Sequence, residues 1–294
     1  MLFENILKDL PGKPGFQEFQ YEDINPLSKR QKIRTLFNPN EAMRVVHARL
    51  LVYLRSLNGI SEFSTGSVKG SSAVRNVQAH SQNRFIYVLD LKDAYEHVEC
   101  KGMSEILYEL DPKLNKEETQ QFLLTYCFRT LGMGLIMGAP ASPDLFNIYA
   151  SVLIDQPIRS LTEKHRLTYT RYLDDLTFSS KEEPIGKIKR RTTRRVIESA
   201  GFAISHHKSR IFDLEKEPAV INGIGLELGG RTFLPRHYLK RLRGLLYTGI
   251  ARPGDKKLRA KIGGMMGLFN HLTNTQQPNK TEETILELWN KYKR

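Results

Sequence analysis

The sequence predicts an α+β fold with a mixed or antiparallel sheet. Strands alternate with helices through the middle of the chain, and a β-branched and aromatic stretch over 166–180 forms a hairpin around an acidic pair. With 294 residues, 40% of them hydrophobic, the chain can build one large domain or two to three subdomains. The net charge of +13 indicates a polyanionic partner.

The first third of the chain mixes breakers with one strand and two helices. Residues 1–30 contain Pro11, Pro14 and Pro26, which rule out a long helix there. The predicted elements that follow are a basic strand over 31–39 ended by Pro39, a helix over 41–57, a Gly/Ser-rich loop over 61–73 and a short helix ending near His80.

The middle of the chain alternates apolar strands with helical patterns. The predicted elements are a strand over 85–90, helices over 102–130, a Gly/Pro-rich turn leading into a helix over 134–155, the acidic hairpin, a helix over 187–200 and strands near 202–205, 209–213 and 219–227.

The last 64 residues, 231–294, are strongly basic. They hold 14 Lys and Arg against four acidic residues, with apolar residues at helical spacing. The pattern fits either a solvated basic face or a helical unit that grips a phosphate backbone.

Three aspartates form the candidate catalytic group. Asp174 and Asp175 lie at the hairpin tip, where adjacent carboxylates repel each other unless a cation neutralises them. Asp90 ends the apolar strand that begins at Phe85. Mg²⁺ is the usual oxygen-loving partner of such groups, and the alternative is a pair of solvated acidic turns.

Composition also indicates the cellular compartment of the protein. Cys100 and Cys127 are too few for a disulfide scaffold or a structural zinc site, which fits a reducing cytoplasm. The sequence has neither a secretory signal pattern nor an apolar run near 18 residues, so no membrane association is expected.

Several motifs in order carry a family resemblance over about residues 30–245. They are KIRTLFNP, SVKGSSAVRNVQAH, LDLKDAY, GLIMGAPASPDLFNIYA, TRYLDDLTFS, GFAISHHKSRIF, INGIGL and PRHYLKRLR. In this series the chain resembles a bacterial reverse transcriptase of the retron and group II intron lineage. The resemblance implies a right-hand polymerase fold, with fingers over 1–84, a palm over 85–230 with interleaved fingers elements at about 101–133, and a helical thumb over 231–294.

The resemblance implies two-metal-ion nucleotidyl transfer with two Mg²⁺ ions, for which Mn²⁺ is a possible substitute. Asp90 and Asp174 would bridge the metals, Asp175 would add charge nearby, and the Leu91 carbonyl would complete one ion. Lys208 matches a lysine proposed to protonate the leaving pyrophosphate, although an ordinary surface lysine fits the position as well.

The resemblance also implies a nucleotide pocket. Lys32 and Arg34 would bind the β- and γ-phosphates. Tyr95 would exclude a 2′-hydroxyl, unless it is an ordinary core tyrosine. Backbone amides of Asp93 and Ala94 and the turn residues Met137 and Gly138 would complete the pocket. The chain departs from the family here, because Ile136-Met137-Gly138 stands where most relatives have Pro-Gln-Gly.

Nucleic-acid contacts are expected from eight residues: Asn76, His80, Tyr172, Gly223, Arg236, Lys240, Arg241 and Arg243. Two further departures concern retron-typical segments. Asn76-Val77-Gln78-Ala79-His80 replaces Asn-Ala-x-x-His, and Ile221-Asn222-Gly223 replaces Val-Thr-Gly.

The resemblance implies an enzyme that copies a structured noncoding RNA into DNA from deoxynucleotides, as a retron-type antiphage defence system with a possible effector protein encoded nearby. A related defence reverse transcriptase with non-retron priming is the main alternative. An RNA-directed RNA polymerase is disfavoured by Tyr95, and a degenerate RNA-binding palm by the retained aspartates. The chain ends soon after the thumb segment, so no RNase H, endonuclease or maturase region is expected.

Overall fold

The N-terminal part of the computed structural model pairs two strands in front of a long helix. The structure describes residues 2–24, 31–273 and 278–293. The elements here are α1 (Leu2–Leu7), β1 (Phe16–Ile24), β2 (Gln31–Pro39) and α2 (Glu41–Ser56). The strands β1 and β2 are antiparallel, with Phe16 opposite Pro39 and Tyr21 opposite Arg34. The predicted strand 31–39 and helix 41–57 are confirmed.

The partner strand β1 lies in a stretch for which the sequence predicted no strand. Its residues are largely exposed, including Phe19 and Tyr21. The strand is therefore held by its ladder with β2, and it shows little of the buried alternation from which a strand is recognised in a sequence.

The central sheet carries the acidic hairpin. Its strands are β3 (Phe85–Lys92), β4 (Thr168–Tyr172), β5 (Asp175–Ser180), β6 (Ala203–Ile204) and β7 (Arg210–Asp213). They run in the order β4-β5-β3-β6, and β7 also pairs with β3. Most residues of β3 and β5 are buried; β3 is largely apolar, whereas β5 also buries Thr177, Ser179 and Ser180.

Helices follow the strands of this sheet. They are α3 (Ala73–Gln78), a 3₁₀ turn (Ala94–His97), α4 (Cys100–Leu110), α5 (Lys116–Tyr126), α6 (Ser142–Ala150), a π-helical turn (Ser151–Asp155), α7 (Gln156–His165) and α8 (Lys187–Ser199). The stretch 134–155 was predicted to run from a Gly/Pro-rich turn into a helix. The helix begins at Ser142 and, beyond the π-helical turn, continues as α7. Pro157 at the start of α7 lacks an N–H to bond the preceding turn, which is a physical reason for the wider π geometry.

A second sheet corrects one predicted element. The stretch 219–227 is two strands rather than one, β8 (Ala219–Ile221) and β9 (Ile224–Leu226), and β10 (Thr232–Phe233) pairs with β9. Asn222 and Gly223 both have positive φ, at 49° and 78°, which closes a tight two-residue hairpin. The strand pattern on both sides of Asn-Gly concealed this turn.

The C-terminal region is helical, as predicted, with α9 (Arg236–Ala251), α10 (Lys256–Leu272) and α11 (Lys280–Lys293). Leucines of α9 pack with residues of the other two helices. The buried set is Leu234, Leu239, Leu242, Leu246, Ile262, Met266, Phe269, Ile285 and Leu288.

The chain divides into two compact units. One comprises Met1–Ser72, Val88–Phe178 and Ile185–Arg210, and the other comprises Ala73–Tyr87, Ser179–Pro184 and Ile211–Arg294. The fingers, palm and thumb boundaries given above stay predictions. Among the helices of the described ranges, none has the length and hydrophobicity required to span a bilayer.

Candidate active site

The hairpin turn presents the acidic pair next to β3. Strand β4 ends at Tyr172 and β5 begins at Asp175, so Leu173 and Asp174 form the turn. Leu173 has a φ of 54°, in the left-handed region that a leucine rarely adopts. The Leu91 N–H donates to the Asp174 carbonyl at 2.9 Å. This bond places the strand that carries Asp90 beside the turn that carries Asp174.

Asp90 is the residue before Leu91 and is held on both sides. Its carbonyl accepts a hydrogen bond from the Ser205 N–H at 2.8 Å. Its carboxylate Oδ1 accepts one from Lys208 Nζ, also at 2.8 Å. The Asp90 side chain is 13% exposed and that of Lys208 is 53% exposed. The predicted Lys208 is therefore in direct contact with a predicted catalytic carboxylate.

Burial and neighbouring charges shift the pKa of the Asp174 carboxyl in both directions. Burial raises the pKa of the Asp174 carboxyl, and the nearby Asp90 carboxylate raises it further. The Asp174 backbone N–H, Lys208 and Arg34 act in the opposite direction. Two repelling carboxylates with cationic side chains around them form an oxygen donor set that suits a hard divalent ion.

The predicted metal ligands do not form a preassembled coordination site in the structure. Across residues 2–24, 31–273 and 278–293, no group of three or more His, Cys, Asp and Glu side chains is placed to hold a metal ion. Asp175 is half-buried at the start of β5. The carboxylates of Asp90 and Asp174, together with the backbone at Leu91, are the groups that fit a divalent ion.

Tyr95 follows β3 in the 3₁₀ turn. Asp93, with a φ of 48°, precedes this turn, and Ala94 is buried within it. The Tyr95 ring packs against Phe146 at 5.4 Å between centroids. Burial raises the pKa of Tyr95, and the Asp174 and Asp144 carboxylates raise it further. The Tyr95 hydroxyl is thus in electrostatic reach of the turn that carries Asp174.

The turn at Met137-Gly138 is bonded to strand β2. The Phe37 N–H donates to the Met137 carbonyl at 2.9 Å. Gly138 has a φ of 100°, and a Cβ on it would lie 2.6 Å from the Phe37 carbonyl oxygen. Arg34, three residues earlier on β2, acts on Asp174 electrostatically. Lys32 lies in β2, but its side chain is outside the described residues.

Two residues predicted to contact nucleic acid are buried. The Asn76 amide donates to Asn222 Oδ1 at 2.5 Å, and His80 Nδ1 lies 2.6 Å from Ser179 Oγ. Both side chains are 0% exposed, and burial lowers the pKa of His80 to about 3. In this structure they support the chain around them rather than face a ligand. Short polar side chains give no sequence signal of which side they face.

The other predicted nucleic-acid residues are accessible. Tyr172 is half-buried at the end of β4, and Gly223 forms the β8–β9 turn. Four basic residues of α9 are exposed, whereas its leucines pack into the helical core; the basic residues are Arg236, Lys240, Arg241 and Arg243.

A polar cluster beneath the hairpin, most of it buried, was not predicted from the sequence. Its members are Ser61, Ser64, Asn147, Asp155, Tyr169 and Arg171. The signal that could have revealed it is Arg171, the only charged residue of the strand Thr168–Tyr172.

The fold and the site define a right-hand polymerase. Among solved structures, telomerase from Candida tropicalis is similar with a TM-score of 0.52 and 10% identity, covering 93% of this chain and 61% of that one. Telomerase from Candida albicans, solved with a fragment of telomeric RNA, is similar with a TM-score of 0.51 and 11% identity, covering 79% and 51%. These likenesses confirm the predicted fold class.

Residues 23–239 match the family described as Reverse transcriptase (RNA-dependent DNA polymerase), and the chain belongs to this family. Retron Mx65 reverse transcriptase from Myxococcus xanthus is 25% identical over 83% of this chain and 59% of its own length. Retron Ec86 reverse transcriptase from Escherichia coli is 25% identical over 83% of this chain and 70% of its own. The predicted resemblance to retron reverse transcriptases is confirmed. Enzymes of this family use divalent metal ions.

Proposed function

We propose that this chain is an RNA-directed DNA polymerase of the retron type, which copies a structured noncoding RNA into DNA. The observation that carries the proposal is the backbone bond between Leu91 and Asp174, because it sets the Asp90 strand beside the catalytic turn. The family match over 23–239 and the retron relatives support the same activity.

The reaction joins a 3′-hydroxyl oxygen to the α-phosphorus of a deoxynucleotide, while the bond to pyrophosphate breaks. Mg²⁺, held by Asp90 and Asp174, would stabilise the attacking and leaving oxygens. Asp175 adds negative charge next to Asp174. The Lys208 ammonium, which donates a hydrogen bond to Asp90, would give a proton to the leaving pyrophosphate.

Substrate binding would fall to the groups around this centre. Arg34 on β2 would offer a guanidinium to the triphosphate, and Lys32 on the same strand and the backbone amides of Asp93 and Ala94 would bind it as well. Tyr95 would close the space next to the sugar 2′ carbon. The exposed basic residues of α9 would track a phosphate backbone.

The partners proposed for this activity are the template RNA, its DNA product, deoxynucleotides and an effector protein encoded nearby. A defence reverse transcriptase with different priming is the second candidate. It is favoured by Met137 and Asn222, which differ from the usual residues at two family motifs. Tyr95 disfavours an RNA-directed RNA polymerase, because such an enzyme must admit the 2′-hydroxyl.

The test is extension of a DNA primer on an RNA template with Mg²⁺ and deoxynucleotides. We expect Asp90→Asn and Asp174→Asn to lower the rate by more than about 100-fold, beyond the loss typical of residues that only support a metal ligand. Asp255→Asn is the matched control, because Asp255 caps α10 and asparagine caps equally well.

Extension by either active-site variant at a rate near wild type would contradict the assignment. A wild-type protein that binds the template without extending the primer would indicate a degenerate RNA-binding palm.

A further inference from the structure

A fully buried ion pair lies directly behind the catalytic turn. Arg171, the residue before Tyr172 in β4, and Asp155, the last residue of the π-helical turn, are both 0% exposed. Arg171 Nε donates to Asp155 Oδ1 and Nη2 donates to Oδ2, each at 2.9 Å. Burial, the largest single effect, lowers the pKa of Arg171, but Asp155 and Tyr169 together raise it above its usual value, so the guanidinium stays charged.

The Asp155 carboxylate is fully committed to this cluster. Its Oδ1 also accepts from the Tyr169 hydroxyl at 2.8 Å, and its Oδ2 accepts from Ser61 Oγ at 2.5 Å. Each oxygen therefore receives a bond from Arg171 and one from a neutral hydroxyl. Such a carboxylate fixes the guanidinium plane rather than only balancing its charge.

The other edge of the guanidinium reaches the turn itself. Arg171 Nη1 donates to Asn147 Oδ1 at 2.9 Å and to the Leu173 carbonyl at 3.3 Å. The Leu173 carbonyl belongs to the peptide group that joins Leu173 to Asp174. A single side chain thus connects the buried carboxylate of Asp155 to the backbone that carries Asp174.

A second segment is tied to the same turn through Asn147. The Asn147 amide donates to the Gly66 carbonyl at 2.8 Å, and its Oδ1 also accepts from Ser64 Oγ at 3.0 Å. The Thr65 N–H donates to the Arg171 carbonyl at 2.7 Å. A Cβ on Gly66 would lie 2.6 Å from the Leu173 nitrogen, so this segment packs directly on the turn.

The turn needs such support because Leu173 is strained. A non-glycine residue at a φ of 54° is in a sparsely populated conformation, which persists only where its surroundings over-determine it. The surroundings here are the Arg171 cluster on one side and Gly66 on the other. Arginine is suited to the first role, because its planar fork binds Asp155 with one edge and the turn with the other.

We propose that Arg171 is a positioning residue for nucleotidyl transfer, which holds the Leu173-Asp174 turn in its metal-binding conformation by joining it to Asp155 and Asn147. The inference rests on the proposed function. A buried ion pair is by itself weak as a source of stability and can often be replaced by neutral residues without unfolding. The cluster therefore accounts better for the geometry of the turn than for the stability of the fold.

The test compares three variants. Arg171→Lys keeps the charge but cannot span Asp155 and the turn together. Arg171→Met combined with Asp155→Asn removes both charges, and the asparagine amide can still accept from one of the Tyr169 and Ser61 hydroxyls and donate to the other. This double variant keeps the experiment informative if a single variant unfolds. The matched control is Arg84→Met combined with Asp213→Asn, which removes a bidentate pair of 2.7 and 2.9 Å that does not contact the turn.

Three quantities are measured: Mn²⁺ affinity by electron paramagnetic resonance, the Mg²⁺ concentration for half-maximal primer extension, and hydrogen exchange of the Leu91 amide, which bonds the Asp174 carbonyl. We expect both Arg171 variants to weaken Mn²⁺ binding by about 10–100-fold, as for other residues that orient a metal ligand. The Mg²⁺ requirement should rise in parallel, and Leu91 exchange should accelerate. The affinity for the RNA–DNA template–primer and all three quantities in the control should stay near wild type.

Folded Arg171 variants with wild-type Mn²⁺ affinity and wild-type Leu91 exchange would overturn the positioning role, whatever the activity of the protein. Failure of the proposed function looks different. In that case wild-type protein extends no primer at any Mg²⁺ concentration, while the Arg171 variants still accelerate Leu91 exchange and thereby support the positioning role.

Discussion

At the scale of single residues, burial and neighbouring charges shift the pKa of the Asp174 carboxyl in both directions. Burial and the Asp90 carboxylate raise its pKa, whereas Lys208 and Arg34 lower it. The pattern of apolar strand followed by aspartate, and of Asp-Asp at a hairpin tip, was enough to find these acidic residues in the sequence. The pattern could not show that Asn76 and His80 are buried, because their partners Asn222 and Ser179 are distant in sequence.

Tyr95 is predicted to select deoxynucleotides over ribonucleotides. Replacing it with valine removes the ring that packs on Phe146 and opens the space expected next to the sugar. We expect Tyr95→Val to reduce discrimination between deoxynucleotides and ribonucleotides by about 10-fold or more, the order that a pocket contact of this size supplies. The measurement is the ratio of kcat/KM for the two substrates.

Tyr149→Val is the control for this prediction, since Tyr149 is another largely buried tyrosine and lies one helical turn from Phe146. Sugar selection that is unchanged in an active Tyr95→Val enzyme would show that Tyr95 is only a core residue.

At the scale of elements, the buried and periodic segments were predictable and the exposed or closely turned ones were not. The strand β3 and the helices α2 and α8 follow their apolar patterns. Strand β1 is exposed and is held by its partner, and the Asn222-Gly223 turn divides a stretch that reads as one strand. Secondary-structure propensity could not show which turn is hydrogen-bonded to which strand, because those bonds join residues that are distant in sequence.

The contact between β2 and the Gly138 turn is predicted to hold Arg34 in position for deoxynucleotide binding. A Cβ at Gly138 would meet the Phe37 carbonyl at 2.6 Å, on a backbone with a φ of 100°. We expect Gly138→Ala to displace β2, and with it Arg34, at a cost of about 1–3 kcal/mol. The KM for deoxynucleotides should rise by about 10-fold if about 1.4 kcal/mol of that cost is met on substrate binding.

Gly186→Ala is the matched control, because Gly186 has a φ of −64° and no atom within 4 Å of the added Cβ. An unchanged KM in Gly138→Ala would argue against a role for this turn in substrate binding.

At the scale of the whole molecule, motif order predicted the family and the fold class, whereas hydrogen bonding between distant segments came only from the structure. Arg171 and Asp155 are 16 residues apart, and Ser64 and Asn147 are 83 apart. A sequence shows each of these residues as an ordinary polar side chain. Their convergence on one turn is a property of the folded chain.

Stability against acid is a prediction at this scale. Burial lowers the pKa of His47 to about 4, although its bond to the Tyr126 carbonyl raises it, and the Ala141 N–H donates to its other ring nitrogen. Between pH 6.5 and about 4 the unfolded chain binds the proton and the folded chain does not. The free energy of unfolding should therefore fall on acidification by about 1.4 kcal/mol per pH unit from this residue.

Urea denaturation at pH 7.5, 6.0 and 5.0 would measure this dependence. His47→Gln should lose that share of the slope, and His237→Gln, at an exposed position of α9, should keep it. Equal slopes in wild type and His47→Gln would show that His47 is protonated in the folded protein.

The most direct test of the central claim is to purify the protein from cells that carry its gene with the native flanking DNA, and to sequence the nucleic acid that copurifies. If the protein is a retron-type reverse transcriptase, we expect a discrete structured RNA together with a complementary DNA, and we expect that DNA to be lost in Asp174→Ala. RNA without any Asp174-dependent DNA would contradict it.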